Sequence, residues 1–117
     1  MDPNWKPLEN RLGPTRCAGF MYMGRVNSIN LYKHGISRSY LNLDDDGNCY
    51  IKVGSGCYSP ASFDLELAKL EECLKGLGAS LETPYDSEFI ARKRQALRQR
   101  GISLLTVQVE PQDVLIH

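Results

Sequence analysis

The stretch that decides the fold is residues 29–53, Ile-Asn-Leu-Tyr-Lys-His-Gly-Ile-Ser-Arg-Ser-Tyr-Leu-Asn-Leu-Asp-Asp-Asp-Gly-Asn-Cys-Tyr-Ile-Lys-Val. Asp46-Gly47 lies between two extended, β-prone runs, and Asp-Gly is a strong signal for a tight hairpin because both central residues of a type I′ turn need positive φ. His34-Gly35 can form a turn of the same kind. The stretch therefore predicts three antiparallel strands joined by two short turns.

Two-residue turns fix the register, and the register fixes which side chains share a face. One predicted face is apolar and is expected to carry the middle helix: Ile29, Leu31, Ile36, Tyr40, Ile51 and Val53. The other face holds the partner-interface candidates: Tyr32, Leu41, Leu43 and Tyr50. These apolar groups need a cover. The first helix with Trp5, a second copy of the protein, and a nucleobase or other ligand are the three alternatives.

Helical and extended patterns flank this region. A short helix ends at Gly13-Pro14, a strand covers 17–26, a loop covers 54–60, and leucines at helical spacing predict a helix from Ser59 or Ser62 to Leu77. A second helix is predicted over 83–100, and apolar alternation over 102–109 predicts a C-terminal strand that rejoins the sheet. The fold class is α+β: a single domain, residues 1–117, with an antiparallel β-meander of about four strands and two helices packed on the sheet.

Composition excludes several classes of function. Hydrophobic content of 42%, charged content of 24% and a formal net charge of zero are ordinary for a globular protein and give no overall basic field for nucleic acid or anionic lipid. The N-terminus lacks the pattern of a signal peptide, and no apolar run approaches the length of a membrane helix. We therefore expect a cytoplasmic protein that does not bind membranes.

No metal or cofactor is expected. The four cysteines form no C-x-x-C pair, so a zinc knuckle is not predicted. Asn42, Asp44, Asp46 and Gly47 match the opening of a calcium-binding loop, but Val53 stands where a glutamate ligand is required.

Two groups of cations are candidates for binding anions. Lys33, His34 and Arg38 surround the first turn and could hold a phosphate, with His34 available for proton transfer. The helix over 83–100 carries a second group that could follow a phosphate backbone: Arg92, Arg94 and Arg98. A charged, solvated turn and a favourable helix C-terminus explain the same residues without function.

The sequence specifies no reaction. We expect a non-enzymatic binding or assembly module, either a homodimer or an adaptor for a protein partner, because one sheet face is unusually apolar. The alternative is an RNA- or DNA-binding protein that uses the basic helix and the sheet tyrosines. The third interpretation is a small enzyme acting on a phosphorylated substrate through Lys33, His34 and Arg38. These residues do not decide whether the chain is an enzyme, and the lack of a recognisable catalytic set favours a non-enzymatic protein.

Overall fold

The computed structural model describes residues 2–83 and, beyond them, Glu88, Ala91, Arg92 and Gln95. Its elements, in chain order, are α1 (Lys6–Leu12), α2 (Pro14–Cys17), β1 (Phe20–Val26), β2 (Ile29–His34), β3 (Tyr40–Asp44), β4 (Cys49–Gly54), β5 (Cys57–Ala61) and α3 (Phe63–Gly76). The described strands form one antiparallel sheet in the order β1-β2-β3-β4-β5. The α+β meander is confirmed. Of the helix predicted over 83–100 the structure describes only Thr83, Glu88, Ala91, Arg92 and Gln95, and the strand predicted over 102–109 lies outside the described residues, so both stay predictions.

The middle helix forms as its sequence predicts. The hydroxyl of Ser62 accepts a hydrogen bond from the backbone N–H of Leu65 at 3.3 Å, which caps the first turn of α3. Leu70 and Leu74 point inward and are almost fully buried. The helix therefore begins at a polar cap and is held by its apolar stripe.

The main core lies on a different sheet face from the one predicted for the middle helix. Leu70 and Leu74 of α3 and Leu8 of α1 pack with Tyr32 and Leu41. The prediction that α3 covers the Ile29 and Leu31 face is wrong, because both helices dock on the opposite face. Trp5 does pack there, with its ring centroid 5.6 Å from that of Tyr32.

A single extra loop residue reverses the orientation of β4. The hairpin between β3 and β4 pairs Asn42 with Tyr50 and Leu43 with Cys49, one residue away from the register that a two-residue turn would give. Gly47 has φ of +87°, and its N–H donates to the carbonyl of Asp44 at 3.0 Å. This geometry is a three-residue loop with a bulge glycine. The slip moves Tyr50 off the main-core face and puts Cys49 into the core.

The first predicted turn is also longer than expected. Lys33 pairs with Tyr40, so residues 35–39 form the connection between β2 and β3 instead of a two-residue His34-Gly35 turn. The difference from the predicted register is an even number of residues, so the faces of β2 and β3 are unchanged. Arg38 adopts φ of +64° within this connection.

The stretch predicted as a loop after Val53 is a fifth strand. Gly56 takes φ of +69° in the turn, and β5 then pairs with β4 from Cys57 to Ala61. Pro60 is tolerated there because β5 is an edge of the described sheet, where one missing backbone donor breaks no ladder. The prediction of a loop over 54–60 is wrong, because the turn is confined to residues around Ser55-Gly56 and the residues after it form an edge strand.

The sheet curls so that hairpins at its two edges meet. The amide of Asn27, in the turn between β1 and β2, donates to the carbonyl of Gly56, in the turn between β4 and β5, at 3.4 Å. β3 and β4 pair at only two positions, so β4 diverges from β3 after Tyr50. Val26 of β1 and Tyr58 of β5 pack against one cluster on the face opposite the main core, so that face is the concave one.

Candidate functional site

The concave face holds a second apolar cluster, separate from the main core. Its buried members are Ile29, Leu31 and Tyr40. Val26, Tyr50 and Tyr58 are half-buried and pack around them. We call these last three residues the tyrosine rim.

The rim combines aromatic surface with polar tips. The hydroxyl of Tyr50 donates to Asp44 Oδ2 at 3.0 Å, and this hydrogen bond is the main cause that raises the pKa of Tyr50. Burial raises the pKa of Tyr58. Both phenols therefore stay protonated and neutral at physiological pH and can donate or accept a hydrogen bond while the rings bury apolar area.

Lys33 and Asn42 bring polar groups to the same face. The ammonium of Lys33 lies 5.3 Å from the ring centroid of Tyr40, within the range of a cation–π contact, and the lysine is only 4% exposed. The side-chain amide of Asn42 donates to the carbonyl of Tyr50 at 3.2 Å. These groups stabilise the strands of the concave face.

His34 lies on the other side of β2, inside the protein. It is fully buried, and its ring packs edge-on against Phe20 with the centroids 5.0 Å apart. Nδ1 accepts hydrogen bonds from the backbone N–H groups of Ile36 at 3.2 Å and Ser37 at 3.4 Å. Burial lowers the pKa of His34 to about 4, so the imidazole is neutral at pH 7.

The structure does not assemble Lys33, His34 and Arg38 into one site. Lys33 and His34 are consecutive in a strand, so they point to opposite faces, and each is nearly or completely buried. Arg38 is half-buried in the connection 35–39. The geometry thus gives no support to joint phosphate binding by these three residues.

The four interface candidates also separate. Tyr32, Leu41 and Leu43 have no exposed surface and belong to the main core beneath the helices. The hydroxyl of Tyr32 donates to the carbonyl of Asn4 at 2.5 Å, which ties the N-terminal segment to the sheet. Tyr50 alone lies at a surface, on the concave side. The first helix with Trp5, one of the three predicted covers, lies on the main-core face together with α3.

Of the arginines in the basic segment, the structure describes Arg92 only. Its guanidinium lies 3.3 Å from the carboxylate of Glu88, and both side chains are largely exposed. Such a pair contributes little to stability. Arg94 and Arg98 lie outside the described residues.

A charged cleft of about 390 Å³ opens beside α3. Its charged lining residues carry both signs: Arg16, Glu71, Glu72, Lys75 and Glu82. Arg16 and Glu82 pair at 3.3 Å on its wall. The lining offers mixed charge without a recognisable set of catalytic groups.

Cysteine and metal chemistry find little support in the part of the chain that the structure describes. Burial raises the pKa of the Cys17 and Cys49 thiols to about 11, so neither is a thiolate at neutral pH. Within residues 2–83 and the four described later positions, no three His, Cys, Asp or Glu side chains are placed to hold a metal ion. The described helices include none long and apolar enough to cross a membrane.

Comparisons with models of protein families, with curated proteins and with solved structures find no match to this chain. Sequence reasoning missed two rim residues, Val26 and Tyr58, and it missed Tyr58 because its segment was interpreted as a loop. The signal was the Ser55-Gly56 turn followed by alternating side chains in residues 57–61.

Proposed function

We propose that the protein is a non-enzymatic binding module that associates with a second copy of itself through the tyrosine rim. The observation that carries the proposal is a second apolar cluster on the concave face, bordered by two half-buried tyrosines. The helices within residues 2–83 pack on the opposite face of the sheet, against the main core. The rim therefore keeps aromatic area available for a partner.

The chemistry of the rim suits a protein interface. Tyrosine is enriched at interfaces because its ring buries a large apolar area while its hydroxyl still finds a polar partner. A twofold axis through the rim would bring the same side chains of two chains together, as in most homodimers.

The test is the solution mass by light scattering over a wide range of protein concentration, at low and high salt. We expect the wild type to reach twice the mass of one chain and Tyr58→Glu to stay at the mass of one chain, because the variant places a charge inside the interface. Leu65→Glu is the matched control. Leu65 is 65% exposed on α3, so the same charge there should leave the dimer intact.

Three results would contradict the proposal. The first is a wild type that stays monomeric at the highest attainable concentration, and the second is equal dissociation of both variants. The third is material that carries nucleic acid, seen in the ratio of absorbance at 260 and 280 nm, until high salt removes it. That third result would favour the nucleic-acid alternative, since phosphate contacts weaken steeply with salt. Circular dichroism of each variant confirms that the fold is kept.

A further inference from the structure

The connection between β2 and β3 is folded into the protein instead of projecting from it. Ile36 and Ser37 are at most 2% exposed, and Ile36 belongs to the main core. The N–H of Arg38 donates to the carbonyl of His34 at 2.9 Å, and the N–H of His34 donates to the carbonyl of Ser39 at 2.8 Å. The N–H of Gly35 also donates to the carbonyl of Gly19 at 2.9 Å, so the connection is bonded to the backbone on both sides of the His34 imidazole.

The hydrogen bonds of that imidazole define its tautomer. Nδ1 of His34 accepts two backbone N–H groups, from Ile36 and Ser37, so Nδ1 carries no proton in the folded state. The proton of the neutral ring is on Nε2, which has no hydrogen-bond partner among the described residues. The imidazole ring has little room to move because Gly19 lies directly against it: a Cβ added at Gly19 would lie 2.6 Å from Nε2.

The groups packed against the imidazole are uncharged. They are the ring of Phe20 on β1, the backbone of Gly19, and the backbone N–H groups of Ile36 and Ser37. The carbonyl oxygen of Thr83 is also close, 2.8 Å from the position that a Cβ added at Gly19 would occupy. The nearest charged residues along the chain are Lys33, which points to the opposite face, and Arg38 within the connection. A cation formed on the ring would therefore meet no described counter-charge.

We propose that His34 and residues 35–39 form an acid-sensitive latch, in which protonation of Nδ1 releases the connection and the Ile36 side chain from the end of the sheet. A proton from solvent turns Nδ1 from an acceptor into a donor that faces two N–H donors. Both bonds are then lost, and the ring needs water or another acceptor. The latch is independent of the tyrosine rim, because the imidazole lies on the opposite side of β2.

The sign of the pH dependence follows from the direction of the shift. The closed latch holds a neutral histidine with its pKa lowered to about 4, whereas an open latch exposes a histidine with the ordinary value of 6.5. The open state binds more protons, so acid favours opening between these two values and has no effect above them. The opening equilibrium constant should rise about 20-fold between pH 7 and pH 5.

Hydrogen exchange read residue by residue tests the latch. The protection factors of the Ile36 and Ser37 amides should fall about 20-fold from pH 7 to pH 5, while that of the Leu41 amide in β3 stays constant. His34→Asn is the control, because its Oδ1 can replace Nδ1 as the acceptor and does not titrate. In this variant the protection at Ile36 and Ser37 should not depend on pH over the same range.

Three outcomes would overturn the latch: constant protection in the wild type, an equal loss at Leu41, or the same loss in His34→Asn. If His34→Asn does not fold, the ring resonances of His34 in the wild type decide, with His117→Asn used to assign them. A titration midpoint well below 6.5, with protection at Ile36 that falls as the pH drops from 6.5 toward that midpoint, supports the latch. A midpoint at the ordinary value contradicts it.

Discussion

Asn30 is a fully buried polar residue whose side chain links β2 to three other segments, so its removal should cost several hydrogen bonds. It is fully buried in β2, and its side-chain amide donates to the carbonyl of Leu43 and to Asp45 Oδ1, both at 3.1 Å. Its Oδ1 accepts the hydroxyl of Tyr22 at 2.8 Å. Asn30→Ala removes these three bonds and a longer one, 3.4 Å, that the guanidinium of Arg25 donates to the same Oδ1, and it leaves a small cavity.

The magnitude follows from those contacts. A buried hydrogen bond contributes about 1 kcal/mol net, which gives about 2 kcal/mol for the bonds to Leu43 and Tyr22. The bond to the Asp45 carboxylate is discounted, because that side chain is 54% exposed. With the cavity included, we expect Asn30→Ala to lower the free energy of unfolding by about 3 kcal/mol.

Urea denaturation with linear extrapolation measures this change as a shift in midpoint at constant slope. Asn48→Ala is the control, since its side-chain bond to Asp44 is exposed and should contribute less than about 1 kcal/mol. A double-mutant cycle with Tyr22→Phe should show a coupling of about 1 kcal/mol for the bond between the two side chains. A loss below about 1 kcal/mol for Asn30→Ala, or strict additivity in the cycle, would refute the reasoning.

The remaining predictions concern the main core and the second hairpin, and calorimetric melting of paired variants checks both. Leu74→Ala should lower stability by about 3 kcal/mol because Leu74 is fully buried, while Leu65→Ala, at a site 65% exposed, should change it by less than about 0.5 kcal/mol. If Leu74→Ala and Leu65→Ala lowered stability equally, α3 would not pack on the sheet through the face that carries Leu74. Gly47→Ala should destabilise by about 1 kcal/mol because φ is +87°, whereas Gly76→Ala inside α3 has open space and should be neutral or stabilising. A neutral Gly47→Ala would argue against the bulge geometry.

Local signals predicted the parts of the fold that local chemistry determines. Ser62 followed by leucines at helical spacing specifies both the start and the inner face of α3. Asn27 and Ser28 both adopt positive φ and close the first hairpin, between the strand predicted over 17–26 and the stretch that begins at Ile29. These features depend on a few neighbouring residues, so a single sequence is enough to find them.

The register of β4 could not be predicted as reliably, because it depends on one residue of loop length. Asp46-Gly47 is compatible with a two-residue turn and with a three-residue loop whose bulge glycine is Gly47. In the structure, Asp44 Oδ1 accepts the N–H groups of Asp46 at 3.0 Å and Asn48 at 2.9 Å, which stabilises the longer loop. That choice alone moves Tyr50 from one face of the sheet to the other.

The same dependence on tertiary contacts explains why the predicted anion site did not assemble. Polar residues near a turn, such as Lys33 and His34, are expected at an exposed tip, because most turns project into water. Here Ile36 is part of the main core, so the turn is drawn inward and His34 is buried with it. Sequence shows which residues are close along the chain, but burial and face decide whether they share a site. For this protein that distinction separates a phosphate-binding tip from an imidazole closed inside the fold, and it directs the search for function to the tyrosine rim.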